Sequence, residues 1–300
     1  MPAAARAGPH PTDDDVERIA RALGWRPGTF RPAAPGRGES STAARWIVGE
    51  TGGSGRSAFV KIGATPVTAA WFRTEARIYA ELRGWYLPRV LGFDDDGERP
   101  ALALEDLSDA AWPPPWTDDR VGLVREALDA IHGTAAPSGL DQMVNDPDQH
   151  WAAIAVDPDP LLALGLCSAG WLDRSLPALT NAATRAPLAG DALVHLDVRS
   201  DNLCFRAGRA VVIDWSHARL ANPDLDVAFW LPSLESEGGP RPESILPNAP
   251  ELAAWVAGFF CRWAGLPDLP DAPHVRPLQR SQAATALPWA ARALGLPPPA

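Results

Sequence analysis

Eight residues, His195-Leu-Asp-Val-Arg-Ser-Asp-Asn202, form the sharpest chemical signal in the chain, and twelve residues beyond Asn202 the apolar run Val211-Val212-Ile213 delivers Asp214. A loop that holds an Asp and an Asn, beside a strand that ends on a second Asp, is a layout for phosphoryl transfer. One carboxylate orients an attacking hydroxyl and accepts its proton. The Asn and the second Asp offer oxygen ligands to Mg²⁺, a hard cation, against nucleotide phosphates. Upstream, Lys61 lies in Ala58-Phe59-Val60-Lys61-Ile62, the apolar-Lys-apolar form of a phosphate-binding lysine on a strand. Glu75, in the helical pattern that follows, is placed to pair with Lys61, and Glu81 is the rival partner. Leu104-Glu105-Asp106-Leu107 falls where two lobes would meet and where backbone groups would face adenine.

Those residues need elements to hold them. Val16, Ile19, Ala20 and Leu23, with acidic residues ahead and Gly24 behind, predict a helix over 13–23. Runs at 43–48 and 58–62 predict a hairpin, and 69–82 reads as a helix with one broad apolar face. Segments 87–93 and 100–104 read as a second strand pair, turned at 94–97. Past Leu104 the character changes. Pro113-Pro114-Pro115 is a stiff connector, and helices are expected over 118–132, 171–186, 251–263 and 274–294. The second and fourth contain Pro177, Pro277 and Pro288, which predicts that each is broken or kinked. Between them lies a β-like block, 192–213, that carries the Asp/Asn loop. The whole predicts an α+β chain of two unequal lobes with a cleft between them: residues 1–105, of which 1–11 are expected to be disordered, and residues 106–300.

Composition sets the outer bounds. Among 300 residues, 46% are hydrophobic and 21% charged, which excludes a disordered chain. With 27 basic against 37 acidic residues the net charge is −10, so neither a nucleic-acid partner nor an anionic membrane partner is expected. Cys167, Cys204 and Cys261 share no C-x-x-C spacing and read as reduced, mostly buried thiols of a cytoplasmic protein. Residues 1–15 contain no apolar signal region, and the apolar stretch 253–266 is too short to span a bilayer and carries Arg262. His195 and His217 flank two Asp residues, yet no H-E-x-x-H or Cys/His cluster supports zinc. Gly52-Gly53-Ser54-Gly55 is followed by no G-K-[ST], so it reads as a hairpin tip.

The loop pattern H-x-D-x-x-x-x-N with the downstream Ile213-Asp214 step resembles the aminoglycoside phosphotransferase/choline kinase-like family, small-molecule relatives of protein kinases, over about residues 28–265. The resemblance implies a bilobal protein-kinase-like fold, with a small β-rich N-terminal lobe and a larger, mainly helical C-terminal lobe. It implies ATP and Mg²⁺ as cofactors and a small-molecule hydroxyl compound as acceptor. On this sequence it makes Asp197 the catalytic base, with Arg199 near the transferred phosphate and His195 organising the loop. Asn202 and Asp214 become the Mg²⁺ ligands. The nucleotide side comprises Lys61, Glu75, Glu105, Leu107 and a loop containing Ser40, Ser41 and Thr42, which lacks the G-x-G-x-x-G fingerprint of protein kinases. Asn222-Pro223-Asp224-Leu225-Asp226 looks like the family's D-P-x-x-D segment, in which Asp226 would brace the catalytic loop.

Two other functions compete. A catalytically inactive, kinase-like nucleotide-binding module would lack at least one of Lys61, Asp197, Asn202 and Asp214, and all four are present. A protein kinase would carry a long activation segment, whereas only Trp215 to Leu225 separates Asp214 from Asp226. A small-molecule acceptor is the reading that remains. The resemblance and the acidic excess favour a cationic or amine-bearing one, aminoglycoside-like, with Glu235, Glu237 and Asp173 as candidates for an acidic groove.

Overall fold

Alternating burial along Ala44–Glu50 lays one face of that segment, Ala44, Trp46 and Val48, on a core. It is the second strand of the sheet in the computed structural model, which describes residues 10–33, 43–52, 55–144, 149–270 and 272–299. The sheet is antiparallel and five-stranded. Its strands are β1 (Pro27–Pro32), β2 (Ala44–Glu50), β3 (Ser57–Ile62), β4 (Val90–Asp94) and β5 (Ala101–Glu105), in the order β1-β2-β3-β5-β4. Helix α1 (Asp13–Leu23) lies on it, started by a Thr12–Asp15 capping box and stopped by Gly24 in the left-handed region at φ 70°. Helix α2 (Pro66–Glu81) starts at a Thr65–Thr68 capping box with Pro66 in its first turn. The fit of α1 on the sheet is tight at Gly92, where a Cβ would stand 1.7 Å from the carbonyl oxygen of Ala22.

The larger lobe is mainly helical: α3 (Asp118–His132), α4 (Gln149–Val156), α5 (Asp159–Leu162), α6 (Ala169–Thr184), α7 (Asp224–Ser236), α8 (Pro242–Ile245), α9 (Pro250–Ala264) and α10 (Val275–Ala293). Two small antiparallel pairs interrupt the helices. One joins β6 (Ala192–Val194) to β9 (Arg219–Ala221), and the other joins β7 (Leu203–Arg206) to β8 (Arg209–Val212). Helix α9 is buried on nearly every side, from Leu252 to Ala264, so the apolar run 253–266 is the centre of this lobe. Among the described residues no helix is long and apolar enough to cross a membrane. All three cysteines are free and buried. One continuous core runs from Ile78 and Tyr79 of α2 and Leu82 just after it through Leu102 and Leu104 to Leu128 and Ile131 of α3, so the lobes are joined by packed apolar side chains.

Of the break or kink expected at the prolines, the break does not occur. Helices α6 and α10 run unbroken through Pro177 and Pro288. Leu179 on α6 and Leu287 and Trp289 on α10 are buried, and their packing offsets the hydrogen bond each ring removes. Pro277 falls in the first turn of α10, where its missing N–H has no intrahelical partner in any case. Strand β1 is not expected from the sequence, because its burial runs one buried, two exposed, one intermediate, two exposed and gives no alternation. Nor are α4, α5, α7 and α8.

Gly92→Ala should cost about 2–3 kcal/mol, since the new methyl meets backbone that cannot move aside. Gly122→Ala, inside α3 with nothing near its Cβ position, should instead stabilise by about 0.5–1 kcal/mol. Urea unfolding of both variants checks the pair of opposite signs.

Candidate active site

The β7–β8 hairpin explains the spacing between Asn202 and Asp214. Ala207 and Gly208, both at positive φ, turn the chain in two residues, and Leu203 pairs with Val212 at the open end. The next pair outward is Asn202 and Ile213, joined by Ile213 N–H to Asn202 O at 2.9 Å, so Asp214 emerges beside Asn202. Asp214 itself sits in the left-handed region at φ 66°, the turn that carries the chain into a short helical turn over Trp215–His217.

The loop ahead of the hairpin is held from beneath by Asp226. This carboxylate is fully buried at the start of α7 and accepts the backbone N–H of His195 at 2.8 Å and of Leu196 at 2.6 Å. His132, at the end of α3, donates its Nε2–H to the same carboxylate at 3.0 Å. The bonds fix Leu196 in the left-handed region at φ 61°, and Asp197 comes directly after it. His195 is buried with both ring nitrogens engaged: Nε2 with the Ile213 carbonyl at 2.9 Å and Nδ1 with the Asp197 N–H at 3.2 Å. A carbonyl only accepts and a backbone N–H only donates, so the ring is the neutral Nε2–H tautomer. Burial pushes its pKa below the ordinary histidine value, against the pull of Asp226 and Asp197.

Asp197 and Asn202 meet across the loop. Asn202 donates its amide Nδ2–H to the Asp197 side chain at 2.7 Å and to the Asp197 backbone carbonyl at 2.9 Å. Arg199 pairs with the other Asp197 oxygen and also grips Asp201, Nε to Oδ1 at 2.8 Å. Spending Nδ2 on Asp197 leaves Asn202 its carbonyl oxygen, and Asp214 adds a carboxylate alongside. Two oxygen donors of this kind fit a hard divalent cation, with phosphate oxygens and water completing the shell. Among the described residues no group of three or more His, Cys, Asp or Glu side chains could hold a metal.

Lys61 reaches this point from the small lobe. It is buried in an ion pair with Glu75 of α2, and its Nζ lies 3.8 Å from Asp214. Burial opposes its charge, but Glu75 and Asp214 together raise the ammonium's pKa, and it stays protonated. Burial pushes the Glu75 carboxyl up to about 7 against the attraction of Lys61. Asp214 would likewise rise on burial, yet Lys61 and then Arg45 hold it at about 2. Glu81, the rival partner, instead accepts the Ser138 backbone N–H at 2.8 Å.

Two cavities open on either side of these groups. One, of 370 Å³, is walled by Ile47, Phe59, Leu104, Glu105, Leu107 and Ile213, among others, a mostly apolar slot suited to a base. Ser40, Ser41 and Thr42 lie outside the described residues. The other, also 370 Å³, opens beyond Asp197 and Arg199 and is lined by Trp71, His217, Phe229, Phe259, Leu278 and Gln279, among others. Sequence reading misses these lining residues. They come from α2, the turn after Asp214, α7, α9 and α10, and each alone reads as an ordinary core or surface residue. None of the expected groove carboxylates lines this cavity. Glu237 is consumed inside the lobe, accepting Ser200 Oγ–H at 2.6 Å and Trp116 Nε1–H at 2.9 Å. Glu235 faces Arg292 at 3.9 Å, and Asp173 is exposed on α6.

A two-lobed chain with a base slot, a buried Lys–Glu pair and an Asp/Asn loop defines the class of small-molecule kinases. The sequence model of the phosphotransferase enzyme family (APH) matches residues 35–259, and the chain belongs to that family. Solved structures with similar folds include a thermostable mutant of the aminoglycoside phosphotransferase APH(4)-Ia in a ternary complex with AMP-PNP and hygromycin B. It is 19% identical, with a TM-score of 0.59, over 95% of this chain and 98% of that one. A choline/ethanolamine kinase family protein from Mesorhizobium loti is 18% identical, with a TM-score of 0.57, over 94% and 97%. Macrolide 2′-phosphotransferase MphH from Brachybacterium faecium is 17% identical, with a TM-score of 0.51, over 95% and 91%. No curated protein sequence matches the chain.

Asp226→Ala strands two buried N–H groups and the His132 ring, and should cost about 2–5 kcal/mol by urea unfolding. His195 supplies a pH signature. The unfolded chain takes up a proton near pH ~6.5 whereas the folded ring resists it, so this contribution is complete above that pH and declines as pH falls below it. Unfolding free energies measured between about pH 7.5 and 5 should fall less steeply for His195→Gln than for the parent chain.

Proposed function

We propose that this protein moves the γ-phosphoryl group of ATP, with Mg²⁺, to a hydroxyl of a small molecule. The observation that carries this reading is the convergence on one point of Lys61 with its Glu75 partner, Asp214 and the Asp197–Asn202 loop, between a base slot and a second cavity. In the step proposed, the acceptor oxygen forms a bond to the γ-phosphorus while the bond from that phosphorus to the β–γ bridging oxygen breaks. The hydroxyl proton passes to the Asp197 carboxylate, and ADP departs. Asn202 Oδ1 and Asp214 would hold Mg²⁺, which when bound neutralises charge on the phosphates. Lys61 contributes a fixed ammonium on the phosphate side. Arg199 balances the charge of Asp197 and keeps its carboxylate oriented. His195, neutral and bonded at both nitrogens, positions the loop and exchanges no proton.

An inactive nucleotide-binding module finds no support, since Lys61, Asp197, Asn202 and Asp214 all converge here. Between Asp214 and Asp226 lie only a helical turn and the three-residue β9, too little chain to dock a peptide. An aminoglycoside-like, polycationic acceptor would call for carboxylates around the second cavity, and among its described lining residues Asp197 is the only one.

Asp197→Asn should preserve folding and nucleotide binding while lowering turnover by about two to four orders of magnitude. Turnover like that of the parent chain would remove Asp197 from the role of base. Asp214→Ala should abolish Mg²⁺-dependent ATP binding and Asn202→Ala should weaken it. Calorimetric titrations with and without Mg²⁺ read both, and unchanged affinities would contradict the metal assignment.

A further inference from the structure

On the phosphotransfer reading, the acceptor occupies the second cavity, and any inference about its chemistry rests on that reading. The cavity floor is aromatic. Phe229, Phe259 and Phe260 have ring centroids 5.2, 5.3 and 5.8 Å apart, with interplanar angles of 76–86°. That edge-to-face cluster gives the floor an apolar surface suited to a ring-bearing body. Trp71 closes the cavity from the small lobe. It is 40% exposed and stands 6.5 Å from the His217 ring, so a large indole face is kept in water at the mouth of the site. An exposed Trp at the edge of an apolar cavity gains by covering a ring or alicyclic body.

The polar groups point the same way. Arg276 donates to the Gln279 carbonyl at 2.7 Å, and a guanidinium only donates. The Gln279 amide is therefore left with its NH₂ for a ligand, and an NH₂ seeks an acceptor oxygen. Gln282, on the same wall, spends its NH₂ on Ser233 Oγ at 2.8 Å and keeps its carbonyl oxygen for a ligand hydroxyl. Asp197 already carries bonds from Arg199 and Asn202, so a cation that entered would lose its water with little charge in return.

We infer that the acceptor is an uncharged alcohol with an apolar, ring-bearing body and an oxygen acceptor, held between Trp71 and the Phe229–Phe259–Phe260 floor with Gln279 as its polar contact. The cavity volume of 370 Å³ suits a compound of drug-like size.

Equilibrium binding, followed by phosphorylation, with a size-matched panel tests this in the presence of Mg²⁺ and AMP-PNP or ATP. The panel holds uncharged aryl and alicyclic glycosides, amino-glycosides, quaternary ammonium alcohols and sugar carboxylates. The uncharged glycosides should bind best, with an affinity insensitive to salt between about 0.05 and 0.5 M. Trp71→Ala should weaken them by about tenfold or more, with AMP-PNP affinity as the internal control. Gln279→Glu should weaken them as well and raise the affinity for amines. A cationic compound binding best, with affinity falling as salt rises, would overturn the inference. So would equal binding by the parent chain and Trp71→Ala, or binding of Mg²⁺·AMP-PNP with no uncharged glycoside bound. Failure to bind Mg²⁺·AMP-PNP at all would instead count against the phosphotransfer reading.

Discussion

A single buried carboxylate, Asp226, sets the shape of the loop that carries Asp197 and Asn202. A carboxylate taken out of water is stable only when its oxygens are fully engaged, and here two backbone N–H groups and the His132 ring engage them. Because two of those donors are consecutive residues of the loop, the bonds fix the backbone of His195 and Leu196, including the left-handed turn at Leu196. Everything downstream inherits that geometry. Asp197 leaves the turn, Asn202 ties back to Asp197, and the β7–β8 hairpin carries Asn202 round to Asp214.

Charge is arranged in the same economical way. The small lobe contributes one buried ammonium, Lys61, held by Glu75 and lying near Asp214. Lys61 depresses Asp214, so the carboxylate proposed to hold the cation is ionised well below neutral pH. Arg199 sits between Asp197 and Asp201 and balances the carboxylates on the opposite side. On the proposed reading a highly charged phosphate chain would meet fixed cationic and metal-ligating groups, while the second cavity behind Asp197 stays largely apolar.

How much is legible in sequence depends on how local each signal is. The loop from His195 to Asn202 and the Ile213-Asp214 step lie within twenty residues, and their spacing is a hairpin's own arithmetic. Helices over 13–23 and 118–132 are readable to the residue, because caps and apolar period agree. Helix α7 does not read as one, since it is buried around most of its circumference and shows no period. Strand β1 escapes for the opposite reason, being mostly exposed and bounded by prolines. The second cavity is invisible in sequence, because its walls come from separate segments spread from α2 to α10 that only the tertiary fold brings together. The acidic residues assigned to a groove rest on charge alone, and charge does not say that Glu237 turns inward to Ser200 and Trp116.

On the proposed function the Asp197–Asn202 loop, Asp214 and Lys61 act together on a Mg²⁺-bound nucleotide. A crystal structure with Mg²⁺ and AMP-PNP tests it most directly. The base should lie between Ile47, Phe59 and Leu107, the phosphates on Lys61, and the cation on Asn202 Oδ1 and the Asp214 carboxylate. A nucleotide seated outside that slot, or a cation touching neither residue, would contradict it.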